Sequence, residues 1–228
     1  MNDVLISYRN VELCRGENII LRGVNFEQRK SEFVYIIGRV GSGKSTFLKT
    51  LYCDIPISKG EVASILDYDL MKIKKKQIPL LRRKVGVVFQ DFQLLTDRSV
   101  YRNLEFVLRS TGWKDKHAIE ERIQEVLVQV GMVTKGYKMP YELSGGEQQH
   151  IAIARALLNA PKIILADEPT GNLDLESGRR IVQLLHDISN SGTAVIMTTH
   201  NYQWVQEFPA KLQKCEEGRL FDCEIDVV

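Results

Sequence analysis

Phe33-Val34-Tyr35-Ile36-Ile37-Gly38-Arg39-Val40-Gly41-Ser42-Gly43-Lys44-Ser45-Thr46 is the stretch on which the reading of this chain turns. Its first five residues form an apolar run that stops at a glycine, the pattern of a strand buried on both faces. From Lys44 to Tyr52 the sequence reads as a helix. Between them, Gly38 to Ser45 fits the pattern GxxxxGK[ST] in the strand-to-helix setting that the pattern requires. Glycines let backbone N–H groups curl around phosphate oxygens, and the start of a helix adds positive partial charge. Gly38, Arg39, Val40, Gly41, Ser42, Gly43, Lys44, Ser45 and Thr46 are therefore expected to cradle a nucleotide's phosphates. Lys44 would reach the β- and γ-phosphates, and the Ser45 hydroxyl would ligate Mg²⁺.

Upstream of this loop, Leu5–Leu13 and Ile19–Phe26 read as strands joined at the turn Arg15-Gly16-Glu17-Asn18. Downstream, Glu61–Asp69 reads as an edge strand and turn, Ile73–Arg83 as a basic amphipathic helix, and Val85–Phe89 as a buried strand. From Ser99 to Val130 apolar residues recur three and four apart, which is helical periodicity, with a break near Gly112. A further helix is expected over Gly145–Leu158. Alternation then resumes with strand Ile163–Ala166, helix Glu176–Asn190, strand Ala194–Thr198 and a short helix after Asn201. Such alternation implies an α/β fold with a mainly parallel sheet, here with an antiparallel N-terminal β part. The expected organisation is one domain over 1–228. A nucleotide-binding core of 1–90 and 159–228 is interrupted by a helical lobe at 91–158.

Composition narrows the function classes. With 228 residues, 44% hydrophobic, the chain can bury a large core. A net charge of +2 gives no global reason to expect nucleic acid. No apolar run is long enough to span a bilayer, and no basic segment followed by an apolar stretch opens the chain. Any membrane role is thus expected to pass through a partner. Cys14, Cys53, Cys215 and Cys223 form no CxxC pair and are expected to be free thiols. The basic run Lys72–Lys76 with Arg82, Arg83 and Lys84 reads first as a solvated face, and no aromatic residues interleave it as a single-strand nucleic-acid groove would need.

Two further segments carry chemistry. Ile163-Ile164-Leu165-Ala166-Asp167-Glu168 is an apolar strand ending in two acids, and carboxylates at the C-terminal edge of a parallel sheet face the ligand crevice. Asp167 would hold Mg²⁺, while Glu168 would orient the attacking water and take its proton. Taken alone, the pair could equally cap a helix. In Leu143-Ser144-Gly145-Gly146-Glu147-Gln148-Gln149, Ser144 is a good N-cap and two glycines expose the first N–H groups, which makes a second anion site.

The order of these segments resembles the ABC ATPases: the phosphate loop, Gln90 after a strand, LSGGEQQ at 143–149, Asp167-Glu168, Gly171-Asn172-Leu173-Asp174, and His200 after an apolar strand. The resemblance spans roughly Leu5 to Arg219. It implies ATP with Mg²⁺, and a head-to-tail homodimer in which Ser144, Gly145, Gly146 and Asp174 of one subunit complete the partner subunit's site. It further implies that Gln90 touches the metal and the water, and that His200 contacts the γ-phosphate, so that Glu168, His200, Gln90 and Lys44 form the catalytic set. It puts the chain peripherally on the cytoplasmic face of the inner or plasma membrane, bound to an integral membrane partner.

Two positions depart from the family. The aromatic residue that usually stacks on adenine falls at Cys14 or Arg15, which leaves base selectivity open, and Tyr8 is a strand residue too early to serve. The arginine that usually follows LSGGEQQ is His150. The stretch Val88–Leu95 with Asp97–Asn103 is similar to the cell-division branch of the family, the alternative being its lipoprotein-release and macrolide-efflux relatives. Phe92, Leu94, Leu95, Tyr101, Leu104 and Phe106 are the expected grip on the membrane partner, the alternative being that they all belong to the core of the helical lobe.

Overall fold

The structure is a computed structural model and describes residues 3–223, so the outer ends of the expected 1–228 span lie outside the described residues. Strands β1 (Val4–Arg15) and β2 (Asn18–Arg29) form the expected hairpin; β2 buries every second side chain from Val24 to Gln28, as period-2 patterning dictates. β4 (Val62–Ile65) and β5 (Tyr68–Asp69) extend it into an antiparallel sheet ordered β2-β1-β4-β5.

The second sheet has six strands. β3 (Phe33–Ile37), β6 (Val85–Val88), β7 (Ile163–Asp167), β8 (Ala194–Thr199), β9 (Lys211–Glu216) and β10 (Arg219–Asp222) run in the order β10-β9-β3-β8-β7-β6. All neighbours are parallel except the terminal β9–β10 hairpin. That hairpin was not expected from the sequence.

Alternate faces of β3 serve two apolar cores. Val34 and Ile36 join Leu21, Phe26 and the N-terminal sheet, together with Phe47 and Leu51 of α1 (Lys44–Leu51). Phe33, Tyr35 and Ile37 face the other core, which contains Leu104 and Leu108 of α3 (Val100–Ser110), Ile119 and Ile123 of α4 (Lys116–Gln129), Ile151 and Ile153 of α5 (Gly145–Leu157), and Leu185 of α6 (Leu175–Asn190). Burying one such side chain contributes about 1.5–3 kcal/mol, so this shared core fixes the helices on the sheet face. Residues 91–158 are therefore continuous in packing with the sheet.

The basic helix is shorter than its expected span. Pro79 sits in the first turn of α2 (Ile78–Arg83), where its missing N–H costs nothing, and Lys75–Gln77 form only a 3₁₀ turn before it. The last helix, α7 (Tyr202–Glu207), follows His200 as expected.

Candidate active site

The strand order β3-β8-β7-β6 brings segments far apart in sequence to one edge. The chain leaves β3 into Gly38, β8 into His200, β7 into Glu168 and β6 toward Gln90, all at carboxyl ends of adjacent parallel strands. This edge is where open α/β sheets bind ligands.

The phosphate loop is shaped by steric exclusion. A Cβ on Gly38 would lie 2.3 Å from the Cys215 carbonyl oxygen of β9, and one on Gly43 would lie 2.9 Å from the Leu21 side chain. Gly43 is the N-cap of α1, at φ 114, and offers no side chain to the helix's first N–H groups. The Ser42 hydroxyl is buried in the loop without a hydrogen-bond partner. The Cys215 thiol donates to the Ser42 carbonyl at 3.1 Å, so β9 supports the loop from below.

Lys44 is 5% exposed, and its Nζ donates to the carbonyls of Gly38 (2.7 Å) and Arg39 (3.1 Å) and pairs with Glu168 Oε1 at 3.2 Å. The other Glu168 oxygen accepts from His200 Nδ1 at 2.8 Å. A carboxylate only accepts, so Nδ1 carries the imidazole proton. Glu168 itself stands at φ 48, in the left-handed region that a non-glycine residue enters at a cost and that recurs at functional sites. Its backbone N–H is held by the Thr198 hydroxyl at 3.0 Å, and that hydroxyl donates to Asp167 Oδ1 at 2.7 Å. Thr198 is the register partner of Asp167 across β7 and β8. The Ser45 hydroxyl donates to the same Asp167 oxygen at 3.0 Å.

Gln90 and Asn172 are doubly joined: Gln90 Nε2 donates to Asn172 Oδ1 (3.2 Å) and Asn172 Nδ2 to the Gln90 carbonyl (3.0 Å). With Asp167, Lys49, Tyr52, Asp91 and others they line a hollow of ≈ 640 Å³.

Ser144 caps α5 in a reciprocal box with Glu147, whose carboxylate is also bound by Lys135 at 2.7 Å. Asp174 caps α6, and the Ser177 N–H on its carboxylate lowers its pKa. The two helix starts adjoin, since a Cβ on Gly146 would meet Ser177 and one on Gly145 would meet Leu173. Among the described residues, no hydrogen bond or ion pair links Ser144–Gly146 to Gly38–Thr46 of the same chain.

At the departures from the family pattern, Cys14 is half-buried near the end of β1 opposite Ile19, while Arg15 is exposed. Tyr8 is a core strand residue whose hydroxyl meets the Thr50 hydroxyl at 2.9 Å. His150 Nδ1 lies 2.7 Å from the Val130 carbonyl, so the imidazole satisfies the C-terminal end of α4.

The ABC transporter family model matches residues 21–171. The cell division ATP-binding protein FtsE of Streptococcus pneumoniae is 46% identical over 220 residues, covering 96% of this chain and 92% of that protein. The chain belongs to the ABC transporter family. Among solved structures, the ATP-binding cassette MJ0796, a dimer bound to ADP and Pi, superposes on this ABC ATPase with a TM-score of 0.82 at 33% identity, over 95% and 96% of the two chains. The cbiO1 protein of Clostridium perfringens, part of the cbiONQ transporter complex, gives 0.87 at 27% identity over 96% and 88%. The ABC ATPase binds ATP and hydrolyses it.

Proposed function

We propose that this ABC ATPase is the cell-division subunit of an FtsEX-type complex. It drives an FtsX-like integral membrane protein that regulates cell-wall hydrolysis, from the cytoplasmic face of the membrane. The observation that carries this reading is the 46% identity to FtsE over 96% of the chain. No helix among the described residues is long and apolar enough to cross a membrane, and this reading assigns the membrane span to the partner.

At the site, Glu168 is the general base: one oxygen is steadied by His200 and the other by Lys44, and it takes the proton of the attacking water. Lys44 exchanges one of its three present acceptors for a phosphate oxygen, and the buried Ser42 hydroxyl and open N-terminus of α1 supply further donors. His200 holds Glu168 through Nδ1–H, and to donate to the γ-phosphate its Nε2 has to carry a proton as well. The oxygen pair of Ser45 and Asp167, sharing a hydrogen bond at 3.0 Å, fits a hard divalent cation. Mg²⁺ would be held there with Gln90 beside it, and would neutralise charge on the β- and γ-phosphates. A second copy, head to tail, brings its Ser144–Gly146 helix start and Asp174 over the nucleotide. The dimeric state of MJ0796 bound to ADP and Pi supports the pairing of two copies.

In this reading the nucleotide-binding core is 1–90 and 159–228, and 91–158 is the signature lobe that grips the partner. Leu104 is fully buried and is struck from the expected grip, because its side chain belongs to the α3–α5 core. Leu95 (39% exposed) and Phe106 (50%) remain on the surface, with the Arg98 guanidinium 5.2 Å over the Phe106 ring. The test is co-purification: Phe106→Ala with Leu95→Ala is expected to keep basal ATPase and lose capture of the FtsX-like partner, since truncating an interface anchor costs ~2 kcal/mol or more. Undiminished capture would move the grip elsewhere. Capture of a lipoprotein-handling permease would overturn the division role.

A further inference from the structure

From Lys72 to Lys84 the chain carries seven Lys and Arg side chains and no acid, although its net charge is only +2, so the rest of the molecule is net negative. The fold gathers this charge at one corner, built of the Lys75–Gln77 turn and α2. Lys74, Lys75, Lys76, Arg82 and Arg83 are all exposed. Among the described residues, only Lys72 and Lys84 of the seven have an acid within reach. Their partners are Asp69 at 3.4 Å and Asp67 at 3.7 Å, in exposed pairs that contribute little. Leu80, 48% exposed, and Pro79 stand among the cations, which makes the corner amphipathic.

This corner is joined to the hollow described above. Arg82 Nε donates to the Tyr52 carbonyl at 2.9 Å and its Nη2 to the Cys53 carbonyl at 3.2 Å, and Tyr52 lines the hollow with Gln90 and Asp91. On the other side, the Arg83 guanidinium approaches Gly112, at the turn between α3 and α4.

We propose that the Lys72–Lys84 corner is a contact for anionic phospholipid headgroups, with Lys74, Lys75 and Lys76 facing the phosphates and Leu80 reaching the acyl boundary. Five clustered cations with no acid among the described residues in ion-pair reach, mixed with the exposed Leu80, suit an anionic bilayer surface. A single-strand nucleic-acid groove would need open aromatic side chains to stack bases; the segment holds none, and the neighbouring Tyr52 and Tyr68 rings are half-buried with Arg82 and Lys84 over them. The inference rests on the reading that this ATPase works at a membrane, and it gives the chain its own hold there, independent of the integral partner.

The test floats the purified full chain with phosphatidylcholine vesicles, with and without phosphatidylglycerol, in the absence of any membrane protein. Binding is expected only to the anionic vesicles and is lost near ~1 M salt, where charges are screened beyond about 3 Å. The triple variant Lys74→Glu, Lys75→Glu, Lys76→Glu should partition about a hundredfold less or weaker still, with unchanged basal ATPase. The Gln versions of the same three changes should fall between it and the parent, which keeps the test valid if charge reversal disturbs folding. Equal flotation on neutral vesicles, or full binding by both variants, overturns the proposal. So does retention on a single-stranded oligonucleotide that these variants abolish while vesicle binding persists. Partner capture through Leu95 and Phe106 is read separately, so failure here leaves the division reading standing.

Discussion

At the scale of single residues, Glu168 is constrained at both backbone and side chain. It is in left-handed backbone, two partners hold its carboxylate, and Thr198 holds its N–H. Glu168→Gln keeps the shape but not the basicity, so ATP binding should persist while turnover falls by ~10²-fold or more. Single-turnover measurement of phosphate release checks this, and normal turnover would pass the role to Gln90 or His200. Base selectivity is a second matter for single residues. With Cys14 and Arg15 at the place where a ring usually stands, ATP and GTP should compete within about tenfold of each other, because stacking on an aromatic side chain contributes ~1–3 kcal/mol. Cys14→Tyr should restore a preference for ATP, and Arg15→Ala should weaken both nucleotides if the guanidinium substitutes for the ring. A strong ATP preference in the parent that survives Arg15→Ala would show that another residue reads the base. Asp167, Glu168 and His200 were legible in the sequence because each ends an apolar strand. Thr198 and Asn172 were not. Thr198 becomes a site residue only through its register opposite Asp167, and Asn172 only through its contact with Gln90 across 82 positions.

Among the secondary-structure elements, α5 does more than present its N-terminus. Arg155 donates to the carbonyls of Gln93 and Phe92, the latter at 2.9 Å, and both of those residues are left-handed, at φ 50 and 58. Gln149, also on α5, donates to the Phe89 carbonyl at 3.3 Å. One rigid helix therefore carries both the Ser144–Gly146 turn and the clamp on the segment after Gln90. Arg155→Ala removes that clamp without touching the nucleotide. It should leave ATP affinity within about twofold while uncoupling turnover from the membrane partner, and it should destabilise the fold by ~1–3 kcal/mol through two bereft carbonyls. Partner-stimulated ATPase set against basal ATPase reads this, and intact stimulation would place the coupling elsewhere. The helices α3 and α4 were legible from their periodicity, α5 from its Ser144 cap, and α6 from the alternation of strand and helix. The β9–β10 hairpin was not, because Lys211-Leu212-Gln213-Lys214-Cys215-Glu216 mixes charge into its strand and shows no apolar run, although Leu212 and Cys215 are buried in the two cores. Its turn signal, Glu217-Gly218, was in plain view. The start of α2 was overrun because lysines suit a helix and a 3₁₀ turn equally well.

For the whole molecule, the phosphate loop and the Ser144–Gly146 turn of one chain share no hydrogen bond or ion pair among the described residues, and the head-to-tail pair proposed above would bring that turn to the loop from a second chain. Glu168→Gln with ATP should therefore run as a dimer on size exclusion, and removing the nucleotide should return it to monomer; a monomer under both conditions would refute the two-chain site. The strand order has a further consequence, in the time the chain takes to be made. β3, which leads into the phosphate loop, pairs with β8 and β9 and with no strand that precedes it. A chain leaving the ribosome at ~5–20 residues per second must therefore carry an unpaired, fully apolar strand while some 160 further residues are added, until Ala194–Thr199 emerges. Fragments that stop short of β8 present that bare edge to one another, and bare apolar edges aggregate. Nascent-chain arrest before residue 194 should accordingly yield a species that chaperones hold and that no nucleotide rescues.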